Sequence, residues 1–328
     1  TPSTASEAPH TVTDFVSTIY KREETRYNRK GSGLYVALIL AVGFFAVVPY
    51  LAPTIWGWCQ ANFSEKFLRV YFSTIFTKAI VVLTILGFYV PYRIEHPFFE
   101  KYKANPRPWP WNENREKWNA QLKRTFYQML FNSSIVCPLM IIPNYIQFYK
   151  DTTVMWRIDM ETLPGGQELF LHILFCMLVE DTGFYFSHRL LHTKWLYRQV
   201  HKKHHEYFVT VSVATEYCHL AEAILGNLIP TALGPMILGS KIHMVTVLVW
   251  TFIRLTEAYD GHCGYDFPWS PFRLLPLSAG EEYHDFHHSH NIGNFSSFFT
   301  HWDTFFGTNL HYHKFLHKKL SVHPKQQQ

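Results

Sequence analysis

Apolar residues gather into four long blocks within the first 190 positions: 34–58, 74–92, 126–149 and 168–188. Each has about the 20 residues that a helix needs to cross a bilayer. A buried helix of a soluble protein can produce one such run, but four in succession favour membrane spans. Two further apolar stretches fill 220–257, the first broken by Gly226, Pro230, Gly234, Pro235 and Gly239. That pattern predicts a re-entrant hairpin that dips into the bilayer and returns.

The polar connections orient these segments. Residues 1–33 carry the basic run KREETRYNRK, and the 93–124 loop is rich in Lys, Arg, Pro and Trp. Trp and Arg suit a membrane–water interface. The 150–167 loop is acidic by comparison, with Asp151, Asp159 and Glu161. The positive-inside rule then places the N-terminal segment and the 93–124 loop on the cytoplasmic side, or the matrix side in an organelle. Four crossings return the chain to that side at residue 188. The fold expected is an all-α membrane protein of about four transmembrane helices plus the hairpin.

Composition agrees. Charged residues are 17% of the chain, against roughly 25% in soluble domains, and aromatics are also 17%. Mean hydropathy is −0.08, so a polar portion must offset the spans. The net charge of +5 is modest and scattered, which suits anionic headgroups rather than nucleic acid. Five cysteines form no CxxC pair, arguing against a disulfide framework or a thiolate metal site. The opening TPSTASEAPH has no hydrophobic signal core and too few arginines for a transit peptide.

Twenty histidines change the picture. HRLLH holds His188 and His192, one helical turn apart. HKKHH holds His201, His204 and His205, and HDFHH holds His284, His287 and His288. A lone HxxxH is a weak signal, but two HxxHH boxes beside it are a strong one. Eight imidazoles exceed what one zinc ion takes, usually alongside Cys or carboxylate. They fit two ions, and imidazole suits iron, copper or zinc. No ExxH pair stands in the four-helix-bundle arrangement of ferritin-like proteins, which makes an all-nitrogen di-iron site the economical choice. His10, His96, His172, His243, His311, His313, His317 and His323 lack box partners and are expected in surface, interface or core roles. His290 and His301 fall outside the box spacing.

The boxes resemble those of the membrane fatty-acid hydroxylase/sterol desaturase superfamily. The strings VEDTGFYFSHRLLH, HKKHHE, TEYCHLAE, DGHCGYDFPWSP, HDFHHSHNIGNF and WDTFFGTN are similar to those of sterol C4-methyl monooxygenases over about 170–310. The resemblance implies two non-haem irons held by the eight box histidines and His262. It also implies O2-dependent oxidation of a sterol methyl group through alcohol and aldehyde to carboxylate. Electrons from NAD(P)H would arrive through cytochrome b5 and its reductase, since no HPGG string marks a fused haem domain. His219 is expected behind the ligands or in the pocket rather than as a ligand, and the chain departs at Leu220, where relatives commonly carry proline. Asp181, Glu206, Asp260 and Asp285 are expected behind the ligands, because a bound imidazole needs its other N–H oriented. Asn291 and Asn294 are candidates for positioning a metal-bound water.

The expected organisation is a polar extension (1–33), transmembrane helices with a basic loop (34–168), a cytoplasmic-side catalytic domain (169–310) and a basic tail (311–328). The endoplasmic reticulum is the compartment implied. Other reactions of the superfamily stand as alternatives: sterol desaturation, side-chain removal and fatty-acid hydroxylation. So does a structural subunit of a membrane complex, for which the mitochondrial inner membrane is the compartment.

Overall fold

The computed structural model describes residues 12–150, 156–275 and 277–322, with side chains from 35 to 318. The expectations placed on residues 1–11, Asp151 and His323 fall outside them. Among the described residues the structure is helical, with three isolated β-bridges and no sheet.

Five helices are long and apolar enough to cross a membrane. The first, α1, runs Val12–Asn62 without a break, so the expected extension and first span share one helix. Then come α2 (Glu65–Ile94), α3 (Arg115–Lys150), α4 (Gly166–Leu191) and α5 (Leu220–Lys241). Ser64 starts α2 by accepting the Phe67 N–H, with Glu65 in the first turn, as the unpaired N–H groups of a helix start require. Glu95 ends it in the left-handed region at φ 45°.

Large apolar side chains stand outward along these helices, among them Ile39, Tyr50, Leu83 and Ile142. Exposed apolar surface on that scale calls for lipid. The inward faces meet in a core of Trp56, Leu169, Ile173, Cys176, Met244 and Trp250. Trp56 Nε1 donates to Ile158 O at 2.7 Å, so its one polar atom is satisfied there.

The hairpin expectation is corrected at its first limb. Residues 220–241 form one helix, widened by a π-turn at Ala223–Leu228. Pro230 follows that turn in the opening turn of the next regular stretch, where a missing N–H costs little. Gly234 lies against α4, where a Cβ would come within 2.9 Å of Cys176 Cα. The small residues that read as interruptions therefore permit close helix contact. The chain turns at Gly239 (φ 54°) into α6 (Met244–Asp260).

The Trp-rich loop also departs from expectation. Trp109 is 2% exposed, stacked on Trp111 and edge-on to Tyr92. It belongs to a second core with Tyr207, Tyr217, Cys263 and Tyr265. Tyr92 near the end of α2 ties this core together, donating to Cys263 O (2.6 Å) and accepting from Ser212 N (3.0 Å). These contacts gather the histidine-bearing segments at one end of the helices.

Candidate metal centre

The nine histidines come from four places. His188 lies in the last turn of α4 and His192 caps it. His201, His204 and His205 sit in a 3₁₀ segment, His201–Glu206. His262 follows α6 directly. His284, His287 and His288 ride on α7 (Glu281–His290), which Asn291 closes in the left-handed region.

These side chains converge into two groups. His188, His192, His201, His205 and His287 form one, and His204, His262, His284 and His288 the other. HKKHH does not present its three histidines on one helical face. A 3₁₀ turn has three residues per turn rather than 3.6, and the box divides between the groups. HDFHH divides too: His284 and His288 share a face, and His287 turns to the first group.

Within the first group, His201 Nε2 lies 3.1 Å from His188 Nε2 and 3.0 Å from His205 Nε2. His192 and His287 face each other at 3.1 Å. In the second, His284 Nε2 stands 2.8 Å from His262 Nε2 and 3.2 Å from His288 Nε2, and His262 is 3.2 Å from His204. The remaining ring nitrogens determine what these approaches mean. Nδ1 of His188, His287, His288 and His262 donates to the carbonyls of Phe295, Gly293, Tyr207 and Ala258, at 3.0, 2.6, 3.1 and 2.8 Å. A neutral imidazole has one N–H, so each of these four directs a lone pair inward. His201 Nδ1 stands 3.0 Å from Glu222 Oε1 without hydrogen-bond alignment, and His284 Nε2, set against the lone pairs of both His262 and His288, can donate to only one of them.

Burial keeps the rings neutral. It holds His204 down to about 4 and His262 to about 3, helped by the imidazoles of His188 and His204 respectively. Burial and neighbouring imidazoles lower His192, His201, His205, His284, His287 and His288 as well. Facing lone pairs about 3 Å apart repel unless a cation lies between them. Adjacent nitrogens on one ion, each at about 2.1 Å, stand about 3 Å apart. Both groups therefore fit a metal ion.

The residues expected behind the ligands are placed differently. Asp181 Oδ1 accepts the Phe299 N–H (2.9 Å), with Oδ2 3.4 Å from His301, so it holds the 295–301 loop rather than a box imidazole. Glu206 accepts from Tyr217 OH (3.1 Å) near Arg124. His219 is exposed and caps α5 by accepting the Ala221 N–H, which replaces the pocket role. Asp260 binds Arg273 (2.9 Å) and Ser270. Asp285 accepts from Asn105 and Thr210 behind α7. Asn291 is exposed and takes a hydrogen bond from Tyr197 OH, while Asn294 donates to Tyr283 O. His96 and His243 cap helices, accepting from Phe98 N and Val245 N.

Glu222 is the carboxylate that sequence reasoning passed over. Its signal was present: a charge inside the apolar string LAEAILG, 5% exposed in the fold. Glu281 was passed over too, accepting from Thr210 Oγ1 (2.6 Å) and Gly264 N (2.9 Å) to fasten α7 to both neighbouring loops.

A narrow space of about 50 Å³ opens on His188, His201, His204, His262 and His284. It adjoins a chamber of about 230 Å³ among α2, α3, α5 and α6, sharing Thr215, Asn227, Arg254 and Ala258 with it.

Helices dressed for lipid, closing at one end over nine converging imidazoles, define a polyhistidine membrane protein. The chain belongs to the fatty acid hydroxylase family, whose sequence model matches residues 173–308. Methylsterol monooxygenase 2-2 of Arabidopsis thaliana is 34% identical over 262 residues, 79% of this chain and 92% of that protein. Methylsterol monooxygenase 1 of Danio rerio is 33% identical over 79% of this chain and 84% of its own length. A rice (Oryza sativa subsp. indica) protein, very-long-chain aldehyde decarbonylase GL1-8, is 40% identical over 53% of this chain and 65% of its own. No solved structure matches.

Proposed function

We propose that the protein is a membrane di-iron monooxygenase that oxidises a methyl group of a sterol, with O2 and electrons from a separate donor such as cytochrome b5 and its NAD(P)H-dependent reductase. The observation that carries the reading is the pair of imidazole groups at the foot of an apolar chamber among membrane helices. Alignment with methylsterol monooxygenases over most of their length supports the sterol as substrate. The Lys and Arg bias of the loops supports a cytoplasmic histidine end, and the endoplasmic reticulum is the compartment that fits the relatives.

Iron bound there supplies O2 activation and insertion of one oxygen atom into a C–H bond. The chain supplies everything that aims this chemistry. Four backbone carbonyls fix the tautomers of His188, His262, His287 and His288, so these four do not have to shed a proton or rotate before use. Leu228, Pro235, Val247 and Leu255 line the chamber, where they exclude water and grip a hydrocarbon skeleton. Arg254, paired with Glu180 and Glu257, stands where chamber and histidine space meet, and its charge is neutralised there.

Metal analysis and a sterol panel test the reading together. About two irons per chain, with alcohol, aldehyde or acid formed at a sterol methyl carbon, is the expected result. Zinc or no metal, with no turnover and stable membership of a larger assembly, would transfer the weight to a structural subunit. Loss of a carbon from an aldehyde would move the reaction towards that of the rice relative. Glu222→Gln keeps the size of the side chain but replaces the carboxyl group facing His201. Metal affinity is expected to fall roughly 10–100-fold, read by chelator competition, and an unchanged affinity would remove Glu222 from any part in holding His201.

A further inference from the structure

The junction between chamber and histidine space carries two polar side chains that the protein itself leaves idle. Asn227 lies in the apolar string AILGNLIP of α5, within the π-turn Ala223–Leu228, and lines both cavities. A π-turn inside a longer helix is rare and recurs at functional sites. The Asn227 amide makes one long hydrogen bond, Nδ2 to Glu222 O at 3.5 Å in its own helix, and among the described residues Oδ1 accepts none. An Asn in a membrane helix ordinarily ties that helix to another part of the protein. Asn132 of α3 does so, donating to Cys218 O at 3.0 Å, whereas Asn227 has no such partner among the described residues.

Thr215 reaches the same junction from a different element, the 3₁₀ segment Ser212–Glu216, and it too lines both cavities. Its Oγ1 is buried without a hydrogen-bond partner, a loss that the fold does not offset. Of the other two residues common to both cavities, Arg254 is held by Glu180 and Glu257, and Ala258 is apolar.

The histidine space sets how far this junction stands from the reacting carbon. Its volume is about 50 Å³, and a water-sized group takes roughly 10–15 Å³ on that scale, so about four such groups fill it. A methyl carbon against the imidazoles, the carbon that bears it, the next carbon and an oxygen on that carbon make up such a set. A longer spacer would carry the oxygen into the apolar chamber, and a shorter one would hold it beside the imidazoles. An amide with a free acceptor and a hydroxyl with a free proton suit a group that both donates and accepts. We infer that Asn227 and Thr215 read a hydroxyl on the carbon next to the one that bears the oxidised methyl group, the alcohol donating to Asn227 Oδ1 and accepting from Thr215 Oγ1. The inference rests on the monooxygenase reading for the identity of the reacting carbon, and deepens it by naming what holds the substrate at the imidazoles.

The full-length protein, reconstituted in phosphatidylcholine nanodiscs, is titrated with a sterol that carries a methyl group beside its hydroxyl, and with the same sterol lacking that oxygen. Wild type is expected to bind the alcohol about tenfold more tightly, the difference typical of one hydrogen bond whose partner would otherwise stay unpaired. Asn227→Leu should bring the alcohol down to the affinity of the deoxy sterol and leave the latter unchanged. Thr215→Val should narrow the preference in the same direction. Because Oγ1 bonds nothing in the protein, that variant should also melt like wild type in detergent, and it decides alone should Asn227→Leu not fold. Equal binding of the two sterols by wild type overturns the inference, as does a preference that survives both substitutions. Equal weakening of both sterols by Asn227→Leu assigns Asn227 to packing and overturns it as well. Hydroxyl-selective binding that the substitutions abolish, without oxidation of any sterol, would keep the hydroxyl site and sink the proposed reaction. Oxidation of the methyl group with no preference for the alcohol would do the reverse.

Discussion

Turnover by a His287→Ala protein is expected to fall below detection, and its iron content to drop, while a His290→Ala protein keeps both. His287 Nε2 faces His192 at 3.1 Å, and its Nδ1 is tied to Gly293 O at 2.6 Å. Alanine removes a donor from the five-imidazole group and leaves an empty space at the contact with the second group, since His287 lies within 5.4 Å of His284, centroid to centroid. The fall should exceed the roughly 10–100-fold that accompanies loss of a partner behind a metal ligand. His204→Ala makes the same test from the four-imidazole group, which has no spare member. Metal content by elemental analysis and product by mass spectrometry are the measurements. Full sterol oxidation by either variant would sink the di-iron assignment. His290, which bonds Ser289 and Phe286 O instead, controls for removing a nearby histidine.

Gly293→Ala should destabilise the protein by about 2–5 kcal/mol, combining the cost of a left-handed backbone with that of overpacking. Gly293 has φ +60°, and a Cβ there would stand 1.7 Å from Thr308 O. Thr308 is backbone and cannot yield without moving the 303–308 turn, where Asp303 accepts the Phe295 and Ser296 N–H groups (3.0 and 2.9 Å). The same residue supplies the carbonyl that orients His287. Loss of stability and loss of metal should therefore appear together, the first by thermal unfolding in detergent and the second by elemental analysis. A variant that melts like wild type would show that the 291–308 loop has slack which its geometry does not suggest. A variant that melts lower but holds its metal would separate the loop's structural part from its part in orienting His287.

Legibility in the sequence followed the range over which each cause acts. The four early spans matched four of the five apolar helices, because twenty apolar residues in a row report a bilayer without any knowledge of neighbours. The histidine boxes were legible for a similar reason: spacing within five residues is local. Their allotment to two groups was not, since it depends on a 3₁₀ turn at His201–Glu206 that no local pattern announces. The small residues of 220–241 were misread as breaks in the hairpin's first limb, because Gly234 answers to Cys176, a residue of another helix. Asp181 lies two turns before His188 on one helix, yet its partner is Phe299, far along the chain. Trp109 read as an interfacial anchor and proved to be core. Glu222 was visible as a charge among apolar neighbours, but its purpose became legible only once His201 was brought beside it.

HKKHH and HDFHH each contribute to both imidazole groups. No contiguous stretch of chain therefore owns either half of the centre. A fragment, a splice form or a graft carrying one box would inherit pieces of two sites and the whole of neither. Damage to either of these two boxes therefore reaches both halves of the centre, whereas loss of HRLLH or of His262 strikes one half alone.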